Sequence, residues 1–137
     1  MAVMRFAGDR VRNRFGAVAT LRWSAVLAAA GMMGAALAPT DATAIACFFL
    51  SGLGVANMVP ILFSAAGNHP GLPRGAGIAA VTMMGYSGIL VAPSTIGFAV
   101  EHVGFRLTYG VMAVLLVVVC LLATRTAAAD GMRPATV

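Results

Sequence analysis

Three stretches of this chain, 42–66, 75–100 and 107–124, each run for at least 18 residues without an Asp, Glu, Lys or Arg. A backbone that crosses a hydrocarbon layer must satisfy its own hydrogen bonds, so an apolar run of this kind is a helix. At about 1.5 Å per residue it needs roughly 17 to 25 residues to cross, and all three runs reach that length. A fourth run, 23–37, is shorter and spans only if Thr20 and Leu21, or Pro39 and Thr40, are counted at its ends. Of the 137 residues 61% are hydrophobic and 9% charged, against about 25% charged in soluble domains, too little polar surface to keep a soluble fold dispersed. The expectation is an all-α integral membrane protein with four transmembrane helices.

The run 23–37 also has a second reading. Arginines, an apolar stretch and then Ala36-Leu37-Ala38 is the order of a secretory signal peptide. The basic lead of 22 residues is long for that, and three further spans follow, so the membrane-helix reading is preferred.

The breaks between runs are short. PTDAT (39–43), GNHPGLPRG (67–75) and EHVGFR (101–106) carry turn residues or charges and suit tight links between antiparallel helices. This divides the chain into a basic cytoplasmic segment (1–22), a four-helix transmembrane domain (23–125) and a disordered cytoplasmic tail (126–137).

Charge is concentrated at one corner. GDRVRNRFG (8–16) holds Asp9, Arg10, Arg12 and Arg14, and the chain has no lysine. With the N-terminus inside, four spans put Arg5, Arg10, Arg12, Arg14, Arg22, Arg74, Arg125 and Arg133 on the inner side and only Arg106 outside. That bias sets both termini in the cytoplasm, and a cell membrane, most simply a bacterial inner membrane, as the location. Nucleic acid is not an expected partner, because only Phe6, Phe15 and Trp23 accompany the arginines.

Other chemistry is sparse. Cys47 and Cys120 fall at opposite depths of this topology, too far apart for a disulfide, and read as packing residues. His69 and His102 sit in the links with no further ligand at metal spacing, so no metal and no cofactor is expected. No span carries a charged residue near its centre, which leaves proton coupling without a group to run on.

Polar residues inside the apolar runs are the candidates for function. Asn57 lies close to Pro60, which removes a backbone donor and frees the carbonyl of Ala56 at membrane depth. It serves either a helix–helix hydrogen bond or the lining of a cavity. In the third run Tyr86 and Ser87 stand beside Gly85 and Gly88, with Ser94 seven residues beyond Ser87 and Pro93 freeing the carbonyl of Ile89. The glycines and serines also suit a small-residue packing seam, whereas the Tyr86 hydroxyl needs a partner at depth. Asn57, Tyr86 and Ser87 are the candidate substrate-binding residues.

GDRVRNRFG, LSGLGVANMVPILFSAAG (50–67) and GYSGILVAPSTIGFAVEHVGFRLTYGVMAVL (85–115), taken in order, resemble the final third of a major facilitator superfamily transporter. Gly8, Asp9, Arg10, Arg14 and Gly16 match the family's loop signature between its eighth and ninth helices, which implies a brace biasing inward and outward states. Gly88, Pro93, Gly97, Glu101, Gly104 and Arg106 match its Gly-Pro-Gly pattern followed by an acidic residue and Gly-x-Arg. The family has twelve helices, so the four spans would be the ninth to twelfth, and the tenth and eleventh would line the central cavity.

The resemblance implies a partial major facilitator fold. The chain would be a C-terminal fragment, truncated product or mis-assigned start of a carrier that moves a small solute, not an enzyme, and inactive alone. Its implied partners are the lipid bilayer, an unknown small-molecule substrate, and the missing transporter helices or a second copy. Two alternatives are a small membrane interaction or assembly protein and a self-assembling four-helix exporter. The small multidrug resistance type of exporter relies on a Glu in its first helix, and 23–37 has none.

The topology is checked with a reporter active only outside the cytoplasm. Fused after Val137 it should be silent, and placed within 40–43 it should be active; the opposite pattern would reverse the assignment.

Overall fold

The computed structural model describes residues 16–69, 71, 73 and 75–125. Four helices follow one another: α1 (Ala17–Leu37), α2 (Asp41–Gly67), α3 (Ala76–Val103) and α4 (Phe105–Leu122), the last continuing as a tight turn to Arg125. No strand occurs among the described residues. All four helices are long and apolar enough to cross a membrane. The basic segment 1–15, with Gly8, Asp9, Arg10 and Arg14, the tail 126–137, and Arg74 lie outside the described residues.

The inside of the bundle is built from small side chains. Its buried apolar residues are Ala17, Ala25, Ala28, Ala29, Ala35, Ala36, Ala113 and Ala123 with three larger ones, Leu21, Met58 and Ile61. Large side chains such as Trp23, Phe49, Leu90 and Leu121 point outward. In water such a surface would drive aggregation. In lipid it is the expected arrangement, because burying a leucine between helices gains little over leaving it in acyl chains, and small residues let backbones approach closely.

The approach is closest between α1 and α2. A Cβ added at Gly54 would lie 2.6 Å from the carbonyl oxygen of Ser24 and 2.7 Å from the nitrogen of Ala28. One added at Gly31 would lie 2.6 Å from the nitrogen of Ser51 and 2.7 Å from the carbonyl oxygen of Cys47. As the α1 number rises from 24 to 31 the α2 number falls from 54 to 47, so the pair is antiparallel. α1 also packs along α4, where the Cys120 thiol donates to the carbonyl of Arg22 at 3.8 Å. Ala17, Leu21, Ala25, Met58, Ile61 and Ala123 form one cluster, with Leu116 and Val119 of α4 against it. The start of α1 and the end of α4 therefore share one end of the bundle.

α3 is peripheral. Gly77 is its one buried residue, set against the carbonyl of Ala66, and Ile78 packs over Gly67. Residues 83–91 are all exposed.

The helix ends differ from the sequence expectation in two places. α1 begins at Ala17, six residues ahead of Trp23, and takes in Arg22. Gly16, at φ 83°, leads into it, and its carbonyl accepts from both the Thr20 nitrogen (3.1 Å) and the Thr20 hydroxyl (2.8 Å). Ala17 and Leu21 are buried in the first turns, so packing carries the helix past the arginine, whose side chain stays exposed. The 101–106 link shrinks to Gly104, and Glu101 and His102 belong to α3. His102 stacks on Phe98 at 3.9 Å and its Nδ1 pairs with the Phe98 carbonyl at 2.9 Å. Gly104, at φ 84°, ends α3 and starts α4 in one residue, a turn that a side chain would strain. The 39–43 link is a capping box: the Thr40 hydroxyl accepts from the Thr43 nitrogen and the Thr43 hydroxyl from the Thr40 nitrogen, each at 3.3 Å.

Two glycines of α2 separate packing from helix propensity. Gly54→Ala and Gly52→Ala gain the same propensity, but a Cβ at Gly52 meets nothing within 4 Å. Unfolding of the purified chain in mixed micelles should show Gly54→Ala destabilised by about 1–3 kcal/mol. Gly52→Ala should be neutral or stabilised by up to about 1 kcal/mol. Equal behaviour of the two variants would contradict the α1–α2 seam.

Candidate functional site

Polar side chains within the helices are matched mostly to their own backbone. Thr82, Thr95 and Thr108 donate to carbonyls four residues earlier, at 2.8, 2.8 and 2.9 Å, and Ser87 to that of Met84 at 2.9 Å. Among the described residues no buried side-chain nitrogen or oxygen lacks a partner. The apolar environment thus meets hydroxyls whose donors are already used.

The half-buried Asn57 follows the same pattern. Its amide nitrogen donates to the Leu53 carbonyl at 3.4 Å, within α2, and not across to another helix. Asn57 lies nine residues from Phe48 and nine from Ala66, the residues through which α2 meets α4 and α3. Nine residues are two and a half turns, so Asn57 lies away from that side of α2, and at three and four residues from the buried Gly54 and Ile61 it flanks the seam with α1.

The same spacing governs α3. Tyr86 and Ser87 come nine residues after Gly77 and Ile78, which hold α3 against α2. They therefore face away from that contact, and Tyr86 is 66% exposed. The three candidates are not gathered into one site within the bundle. Asn57 lies on the side of α2 turned away from α3, and Tyr86 and Ser87 lie on the side of α3 turned away from α2. Of the loop signature, Gly16 is described and serves as the lead into α1.

One cluster has no counterpart in the sequence reading. Phe48 of α2 meets Tyr109 of α4 edge-on at 5.1 Å and Phe105 at 6.1 Å, and Phe105 and Tyr109 lie 4.3 Å apart. The trio ties α2 to α4 at the end of the bundle opposite the Leu21 cluster. The one-turn spacing of Phe105 and Tyr109 was the available signal; their partner lies 57 residues before Phe105 and is not found by spacing. Cys47 and Cys120 are free thiols, Cys47 packed against Gly34 and Cys120 against α1. No group of three His, Cys, Asp or Glu is assembled among the described residues.

Known proteins place this arrangement. Residues 1–135 match the Major Facilitator Superfamily model. The chain is 37% identical over 119 residues to an uncharacterised MFS-type transporter of Yersinia pestis, covering 87% of this chain and 31% of that protein. It is 41% identical over 121 residues to the membrane protein MosC of Rhizobium meliloti, covering 88% and 30%. To an uncharacterised transporter of Sinorhizobium fredii it is 30% identical over 123 residues, covering 90% and 33%. No solved structure matches the chain. It spans about a third of the length of these relatives. With four membrane-length helices packed through small residues and a family match over nearly its whole length, the chain is a multi-pass membrane protein that belongs to the major facilitator superfamily.

Proposed function

We infer that the four helices are the C-terminal bundle of a longer solute carrier and move no solute alone. The observation that carries this reading is the exposed placement of Tyr86 and Ser87 on a chain about a third as long as its relatives. A tyrosine hydroxyl facing hydrocarbon is costly, so the exposed Tyr86 face of α3 calls for an opposite wall. A carrier that alternates access needs two bundles moving about a shared site, and four helices supply at most one side of it. In this reading Tyr86 and Ser87 contribute one part of a solute-facing surface and Asn57 another. Hydrogen bonding and shape act there, with no enzymatic step and no cofactor.

Orientation belongs to the same reading. Arg22 and Arg125 lie toward the end shared by the start of α1 and the close of α4, and Arg106 lies at the other. With the arginine-rich end inside, both termini are cytoplasmic and the membrane is the inner membrane of a bacterium. Gly8, Asp9, Arg10 and Arg14 then act at the cytoplasmic face, setting topology and bracing against the neighbouring helices of the full carrier.

A second reading, a small membrane assembly protein, is favoured by the exposed glycines of α3. The two are separated in vesicles containing the purified chain alone, and in vesicles from cells co-expressing it with the remaining helices of a full-length relative. Uptake across a panel of labelled sugars, amino acids and lipophilic cations should be absent with the chain alone and present with both parts. It should fall at least about tenfold on Tyr86→Phe or Asn57→Ala, the loss of roughly one buried hydrogen bond to substrate. Transport by the chain alone, abolished by those substitutions, would overturn this reading and indicate a self-assembling exporter. Stable homo-oligomers that ignore the added helices would favour the assembly protein.

A further inference from the structure

α1 packs extensively along both α2 and α4, whereas α3 touches α2 and α4 only sparsely. At its start Gly77 lies against Ala66 and Ile78 over Gly67. At its finish the single residue Gly104 passes the chain to Phe105, which the ring contacts with Phe48 and Tyr109 fix in place. Gly75 and Gly104, at φ 90° and 84°, lie just outside the helix, and Pro93 interrupts its hydrogen bonding in the second half.

The face of α3 continuous with Gly77 runs through Val81, Gly85, Gly88, Ala92, Ile96 and Ala99 at helical spacing. Val81, Ala92, Ile96 and Ala99 are half-buried, so this face is turned to the bundle. Gly85 and Gly88 in its middle are exposed, and a Cβ at either would meet nothing within 4 Å. Gly31 and Gly54 show what the same residue type does where two of these helices close fully: their backbones stand against the neighbouring helix with no room for a methyl group. The α3 seam is of the same kind, and it is open.

We propose that α3 is a strap, pivoting at Gly75 and Gly104 and flexing at Pro93, that closes its Gly85–Gly88 face onto the rigid α1–α2–α4 unit. In the structure it is in the open position. Closure brings the seam into backbone contact and draws α3 inward, while the far face, with Tyr86 and Ser87, stays turned away from the bundle. This is a motion within one bundle, distinct from two bundles rocking as rigid bodies, and it stands whether or not the chain carries a solute.

The test uses the full chain in lipid nanodiscs, with Cys47→Ser and Cys120→Ser removing the native thiols. Spin labels at Leu90→Cys and Val26→Cys report α3 against α1, and labels at Leu27→Cys and Val114→Cys report the rigid unit. All four positions are exposed. The α3 pair should give two distance populations, or a distribution about twice as wide as the control pair. Gly85→Leu with Gly88→Leu should fill the seam and leave the longer-distance population alone. A single α3 distribution as narrow as the control would overturn the proposal even if the leucine variant fails to insert. Two populations that persist unchanged in the leucine variant would also overturn it.

Discussion

Backbone contact between α1 and α2, at Gly31 and Gly54, is the interaction on which the rest of this structure depends. It sets a helix separation that glycine, alanine and serine fill along the seam, with Leu21, Met58 and Ile61 packed at one end. Because that interior needs few large side chains, most Leu, Phe, Met and Trp residues are free to face lipid. The bundle is thereby specified by shape and not by hydrophobicity, the usual situation where the solvent is itself apolar. α4 completes the unit on the other flank of α1, with the Leu21 cluster at one end and the Phe48–Phe105–Tyr109 trio at the other.

The polar residues fit around that frame. Hydroxyls bonded to their own helices add little to helix association and leave the seams to van der Waals contact. Tyr86 and Ser87 lie on a face that the frame does not use, while the half-buried Asn57 flanks the α1–α2 seam. In the proposed reading the Tyr86–Ser87 surface meets something beyond the four helices of a chain a third as long as its relatives.

Much of this was legible in the sequence, for physical reasons that also mark where legibility stopped. The number of spans follows from uninterrupted apolar runs, since no alternative backbone satisfies itself in lipid. The start of α1 was hidden by Arg22, because an arginine near a span's end reads as a boundary although a long side chain reaches water from inside the helix. Glu101 and His102 misled in the same way, and the one-residue turn at Gly104 depends on a backbone angle that composition does not display. Asn57, Tyr86 and Ser87 could be picked out as polar groups in apolar runs. Their directions could not, because these depend on which helix face packs, and for α2 and α3 that is decided by Phe48, Gly54, Ala66, Gly77 and Ile78, residues of no distinctive chemistry.

The α1–α2 contact can be tested with the protein's own thiol. A Cβ at Gly34 would lie 3.6 Å from the Cβ of Cys47 and 2.8 Å from its sulfur. That Cβ separation is within the range a disulfide spans. In membranes treated with a mild oxidant, Gly34→Cys in a Cys120→Ser background should form a bond to Cys47, seen as loss of both maleimide-reactive thiols and a cross-linked peptide by mass spectrometry. Two thiols that stay freely reactive after oxidation would contradict the packing on which this account rests.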